Sequence, residues 1–201
     1  MNKCLICEGE YIPFVDFGDM PIANAFSTKE DTEDEYTFRM KVGFCSKCKM
    51  VQLVEQPERE KMFHDNYAFF SSTSSYMQKH FSLFADSVTK LQGLNEKSFI
   101  VEIGCNDGIL LRNFINNNIP SLGIEPSKNV AESAKNKGAR VLTDFFDKSL
   151  AENILKEYQK ADAILSANVM CHIPYMHSIY DGVKLLLNES GVFIFEDPYL
   201  G

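Results

Sequence analysis

No run of apolar residues in this 201-residue chain approaches the ~20 that a membrane-spanning helix needs. The N-terminus, MNKCLICEGE, lacks the apolar core of a secretion signal, so neither a membrane span nor export is expected and the cytoplasm is the expected compartment. Basic residues are in deficit, 20 Lys and Arg against 28 Asp and Glu, for a formal charge of -8. That balance disfavours docking on nucleic acid or an anionic membrane and leaves small molecules or proteins as partners. Internal repeats and low-complexity segments are lacking, as is the GxGxxG fingerprint that holds a dinucleotide pyrophosphate. An apolar content of 45% is enough for a real core, and the length exceeds one usual domain. One domain with a small satellite fits.

Four of the six cysteines fall in two CxxC pairs, Cys4 with Cys7 and Cys45 with Cys48. In a reducing compartment such pairing points to metal rather than to disulfides. Each pair presents two thiolates from one tight turn, and together they supply the four soft ligands of a closed tetrahedral Zn2+ site. With every valence filled, no position is left for water, so the metal is expected to be structural. Tyr36, Phe38, Met40 and Val42 alternate with Thr37, Arg39, Lys41 and Gly43, predicting a half-buried strand that leads to the second pair. The acidic run Glu30, Asp31, Glu33, Asp34, Glu35 ahead of it reads as a solvated loop.

The stretch from Ser98 to Glu125 organises the rest. Phe99 to Ile103 reads as a buried strand, Gly104-Cys105-Asn106-Asp107-Gly108 as a turn, and Ile109 to Ile115 as a helix. Ser121 to Ile124 then forms a second strand ending in Glu125. Glycines in such a turn let the backbone approach a ligand, and an acid closing the second strand can take two ribose hydroxyls. A nucleoside-shaped ligand is implied, and the GxxxG spacing turns the choice toward S-adenosylmethionine. A βαβ turn without a ligand has the same local pattern.

Elsewhere the periodicity predicts an amphipathic helix over 74–91, with the hydroxyl run Ser71 to Ser75 at its start. That run caps the helix or binds a carboxylate or phosphate. Pro126-Ser127 opens a helix that closes at Gly138, followed by a strand over 140–143. Asp144-Phe145-Phe146 can meet an adenine, although an Asp there serves equally as a helix cap. A helix near 150–158 precedes a fourth strand over 161–167, at whose end stand Asn168 and His172. Both face the crevice beyond the carboxyl ends of the strands, where open parallel sheets bind ligands. A helix over 175–187 leads to a fifth strand, Val192 to Phe195. By themselves, Tyr67 reads as packing and His172 as a loop residue.

Taken together, CxxC…CxxC, MFHDNYAFFSS, VEIGCNDGILLRNF, GIEPS, TDFF, NVMCHIPY and FEDPYLG resemble the S-adenosylmethionine-dependent sugar C-methyltransferases acting on nucleotide-linked 4-keto deoxysugars. The resemblance runs through essentially the whole chain. It implies an α/β class I methyltransferase fold, a Rossmann-like parallel sheet of order 3-2-1-4-5 with the last two strands missing. The expected organisation is a zinc-binding domain over 1–60, a connecting helical segment over 61–95 and the methyltransferase domain over 96–201. By resemblance, Gly104, Cys105, Asn106 and Gly108 pass under the cofactor, Glu125 takes its ribose, Asp144 and Phe145 flank its adenine, and Asn168 lies near its methionyl end. Tyr67 and His172 look like the family's active-site tyrosine and histidine.

Such chemistry removes the proton beside a sugar ketone, and the resulting enolate attacks the sulfonium methyl. The resemblance also marks a departure. The family carries a Tyr-x-Glu-His constellation shortly after FEDPYLG and a large domain that grips the nucleotide sugar, and neither is in this sequence. A separate C-terminal half is therefore an expected partner beside the nucleotide-sugar substrate, with little activity expected from this chain alone. The competing readings are an O- or N-methyltransferase of the same core and a non-catalytic zinc-containing module.

Overall fold

The computed structural model describes residues 3–23, 26, 28 and 35–198. Most of the acidic run, Glu30, Asp31, Glu33 and Asp34, and the end Tyr199-Leu200-Gly201 lie outside the described residues. The chain divides into two units, one running to Ala68 and including Pro174–His177, the other running from Phe69 to Ile173 and resuming at Ser178. The segment 61–95 is thus shared between them, its first eight residues with the first unit.

The first unit is built on a three-stranded antiparallel sheet of β1 (Tyr11–Pro21), β2 (Thr37–Cys45) and β3 (Val51–Leu53), with β2 in the middle. β2 is the alternating strand read from the sequence, and it delivers Cys45 to the second cysteine pair. Its partner β1 has Pro13 inside it, and Pro costs a ladder donor, which suits β1 to the sheet edge it occupies. Two register shifts, between Pro13 and Val15 and between Asp16 and Asp19, break its alternation. A single short helix, α1 (Arg59–Met62), follows β3.

The second unit is a five-stranded parallel sheet. Its strands are β4 (Ile100–Ile103), β5 (Ser121–Ile124), β6 (Val141–Leu142), β7 (Ala161–Ala167) and β8 (Leu187–Glu196), in the order β6-β5-β4-β7-β8. In chain order this is third, second, first, fourth, fifth, as expected of the class I methyltransferase fold. The strands are joined through α3 (Leu111–Asn116), α4 (Lys128–Asn136), α5 (Lys148–Glu157) and α6 (Met176–Leu186). Among the described residues β8 is an edge strand.

α2 (Ser75–Gln92) precedes the sheet. The Ser74 side chain accepts the Met77 N–H at its start, and Gly93, in the left-handed region, ends it. Its apolar positions Phe81, Ala85 and Val88, spaced four and three apart, pack with Ile100, Leu110, Phe114, Ala163 and Leu165. A second cluster joins Cys105 and Leu111 to Ala131 and Ala134 of α4 and to Val141. All four residues of β4 are buried, so the turn that leaves this strand stands on a rigid base.

Candidate cofactor site and metal centre

The two cysteine pairs fold into matching knuckles. The Cys4 carbonyl accepts the Glu8 N–H at 3.0 Å and the Cys45 carbonyl accepts the Lys49 N–H at 2.9 Å. Glu8 (φ 56°) and Lys49 (φ 68°), each just past the second cysteine of its pair, both lie in the left-handed region. The Cys4 N–H then donates to Gly9 at 2.8 Å and the Cys45 N–H to Met50 at 2.9 Å. One backbone conformation is thus used twice.

The four sulfurs lie within 4.8 Å of one another, with Cys4 to Cys48 at 3.5 Å and Cys7 to Cys45 at 3.6 Å. Tetrahedral Zn2+ with Zn–S near 2.3 Å spaces its sulfurs by about 3.8 Å, so the donor set fits in number, type and separation. Backbone N–H groups of Cys48 and Lys47 favour the Cys45 thiolate against the cost of burial and bring its pKa down to about 6. The Gln52 side chain accepts the Leu5 N–H inside the first knuckle at 3.0 Å, tying it to β3.

In the second unit, strand order reverses between β4 and β7, which is where an open parallel sheet binds its ligand. Gly104 leaves β4 at φ 70°, and its N–H and that of Cys105 both donate to the Ile124 carbonyl, at 2.8 and 3.1 Å. The turn is thereby tied to the end of β5. Glu125 follows immediately and is 5% exposed. Its Oε1 accepts the Ser127 N–H at 2.8 Å and its Oε2 the Asn106 N–H at 3.0 Å. Burial raises the Glu125 pKa, while the Ser127 and Asn106 donors work against that rise. Each oxygen keeps a second lone pair, so the carboxylate can accept two hydroxyls without giving up either bond. Asn106 and Glu125 therefore form one hydrogen-bonded corner, tied to Gly104 through the Ile124 carbonyl, and the acceptor capacity left on the carboxylate suits a ligand that presents two hydroxyls, as the ribose of S-adenosylmethionine does.

The other residues read from the sequence take different places. Cys105 is fully buried among Leu111, Ala131, Ala134 and Val141, and burial pushes its thiol well up, so only its backbone is available to a ligand. Gly108 (φ 80°) serves close packing, since an added Cβ would lie 3.3 Å from the Ala134 Cβ. Asp144 is exposed beyond β6 and its Oδ1 accepts the Phe145 N–H at 2.7 Å, with Phe145 half-buried beside it. Asn168 is exposed at the end of β7, left-handed at φ 57°, and its N–H donates to the Glu196 carbonyl at 2.6 Å. His172 is exposed at the end of a 3₁₀ turn, Met170–His172. Tyr67 belongs to the first unit, half-buried with its ring 5.7 Å from Phe63.

Several groups escaped the sequence reading. Glu102 is an acid inside the fully buried β4, and burial and the neighbouring Glu125 charge hold its pKa well above the usual carboxylate range. Its Oε2 has no hydrogen-bond partner. The signal was an acid in the middle of the apolar run 99–103. Asp107, 1% exposed, accepts from Lys137 Nζ at 2.8 Å and from the Ser72 N–H at 3.2 Å. The Ser71–Ser75 hydroxyl run thus does both things its composition allows: Ser74 caps α2 and Ser72 binds a carboxylate, that of this chain's own Asp107.

Comparison with known proteins agrees with this division. Residues 4–63 match a family model described as a zinc-binding domain, and residues 101–193 one described as a methyltransferase domain. The C-methyltransferase NovU of Streptomyces niveus is 27% identical over 202 residues, which cover 100% of this chain and 48% of that protein. The PH0226 protein of Pyrococcus horikoshii OT3 superimposes with a TM-score of 0.52 at 13% identity, covering 63% of this chain and 57% of its own. A S-adenosylmethionine-dependent methyltransferase of Clostridium acetobutylicum ATCC 824 gives 0.46 at 22%, covering 59% and 49%. The likeness to the PH0226 protein speaks for the fold alone.

Fold and matched models agree on one organisation, a stretch matching a methyltransferase domain on a class I methyltransferase sheet, preceded by a stretch matching a zinc-binding domain. The chain is similar along its whole length to a C-methyltransferase, of which it spans about half. No helix among the described residues is long and apolar enough to cross a membrane.

Proposed function

We propose that this chain is the cofactor-binding portion of a C-methyltransferase that acts on a nucleoside-diphosphate-linked 4-keto deoxysugar. The observation that supports it most is the corner joining Asn106 to Glu125 at the switch point of the sheet. The C-methyltransferase relative supports transfer to carbon, and the resemblance in sequence supports the sugar.

S-adenosylmethionine, when bound, supplies an electrophilic methyl on a sulfonium and needs no metal to activate it. Glu125 would accept the ribose hydroxyls, the turn from Gly104 would carry the backbone beneath the ligand, and Asn168 would meet its methionyl end. Phe145 would pack on the adenine and the Asp144 carboxylate would accept from its amino group. On the acceptor side, a base removes the proton beside the ketone while a hydrogen-bond donor holds the enolate oxygen. Tyr67 and His172 are the proposed residues for these roles. The thiolate-held zinc is structural, and such a site suits the reducing cytoplasm. Because the chain spans about half of its relative, full turnover is assigned to this chain together with a further C-terminal domain.

The test is solvent deuterium exchange at the sugar carbon beside the ketone, with and without a supplied C-terminal half from a relative. Exchange that depends on His172 supports the reading. Methyl transfer to oxygen or nitrogen without exchange overturns it in favour of an O- or N-methyltransferase, and failure to bind S-adenosylhomocysteine favours a non-catalytic module.

A further inference from the structure

Two consecutive residues of the glycine turn hold a distant stretch of chain. Asn106 Oδ1 accepts the Ser71 N–H at 2.8 Å, and its Nδ2 donates to the Phe69 carbonyl at 3.1 Å. Asp107 accepts both the N–H and the Oγ–H of Ser72. Lys137, at the end of α4, closes the network: its Nζ lies 2.8 Å from Asp107 Oδ2, 3.3 Å from the Asp107 carbonyl and 3.0 Å from Ser72 Oγ. Asp107 is 1% exposed, so its charge is stable in the fold only while these partners surround it.

We propose that Lys137, Asp107 and Ser72 are positioning residues for cofactor binding. They fix residues 69–72 against the turn and, through Asn106, set the Glu125 carboxylate. This inference rests on the assignment of Glu125 to the ribose. Asn106 is the connecting group: its side chain grips 69–71 while its backbone N–H donates to Glu125 Oε2, and it does both from a left-handed conformation at φ 49°. A shift of the 69–72 segment therefore rotates Asn106 and withdraws a donor from Glu125. Conversely, a ligand that fixes Glu125 steadies the segment, because coupling between two sites is reciprocal. A core ion pair used only for packing has no such link to the ligand. Outer partners that orient a binding group typically matter by roughly 10- to 100-fold where they have been removed from metal sites.

The experiment measures S-adenosylhomocysteine affinity by calorimetry on metal-loaded chain, for the wild type, Lys137→Met, Lys137→Arg, Glu125→Gln and the Lys137→Met/Glu125→Gln double variant. Lys137→Met is expected to weaken binding about tenfold and Lys137→Arg to recover most of it. The double variant is expected to be scarcely weaker than Glu125→Gln alone, since both changes act on one group. Losses that multiply overturn the proposal, as does unchanged affinity in Lys137→Met. Amide exchange at Ser71 and Ser72 in the wild type needs no variant. Saturating S-adenosylhomocysteine is expected to slow both by at least about tenfold, and unchanged exchange overturns the coupling. A wild type that binds no S-adenosylhomocysteine overturns the cofactor assignment itself, which separates the two failures.

Discussion

Val169 occupies the space that a side chain at Gly104 would need: a Cβ added there would fall against both of its γ-methyls. The residue after Asn168 therefore seals the first turn from the far side of the switch point, and the glycine is required by its neighbour as well as by its own positive φ.

Gly104→Ala is accordingly expected to destabilise the second unit by about 1–3 kcal/mol, from strain and displaced packing together. S-adenosylhomocysteine affinity should fall at least about tenfold, because the turn carries Asn106 with it. Adding Val169→Ala should restore part of the stability, since the methyls go while the strained backbone stays. Thermal unfolding and calorimetry of the two variants check both statements.

Burial raises the Glu125 pKa, so its carboxylate takes up a proton at a higher pH than an ordinary glutamate does. A protonated Glu125 has lost acceptor capacity toward hydroxyls. Ligand affinity should therefore weaken on acidification, starting above the usual glutamate value of about 4.3. Glu125→Gln should bind more weakly at neutral pH and show a flat profile over the same range. Calorimetric titrations at several pH values read the difference directly.

Glu102 makes the opposite kind of prediction, one of stability. Its folded pKa stands above the unfolded value, so its contribution is intact below about pH 4.3 and is lost as pH rises toward the folded pKa. Glu102→Gln removes the charge and keeps the shape. Urea midpoints of the variant are expected to gain on the wild type as pH rises above the unfolded value of about 4.3 toward the folded pKa. A difference that does not change with pH above that value would contradict the burial argument.

For the metal, mass spectrometry under native conditions should find a single zinc held by Cys4, Cys7, Cys45 and Cys48. A strong chelator should abolish exchange protection in β1–β3 while β4 and β7, buried in their own sheet, keep theirs. Cys45→Ser should reproduce the chelator's effect.

Much of this was legible because it is local. β4, β5 and β7 announce themselves as short apolar runs, α2 as an apolar stripe between a serine and a glycine, and the metal centre as two equal spacings. β1 was not legible. Pro13 and two register shifts erase its period, and Phe14 and Phe17 are exposed, so the usual alternation of inside and outside is missing. The partners of Asp107 were hidden for another reason. Ser72 lies 35 residues before it and Lys137 lies 30 after it, and no local pattern in sequence joins groups that only the finished fold brings together. Cys105 shows the converse, a residue inside a binding motif whose side chain belongs to the core.

The antiparallel ladder of the first unit is pinned at both ends. Tyr11 stands opposite Cys45 beside the sulfur cluster, and Pro21 opposite Thr37 at the other extreme. The residues between Pro21 and Thr37 include no cysteine or histidine, and lengthening such a link costs only ~0.6 kcal/mol per doubling. An affinity tag or fluorescent reporter spliced between those strands should leave zinc uptake intact, which makes that junction the natural handle for following this protein.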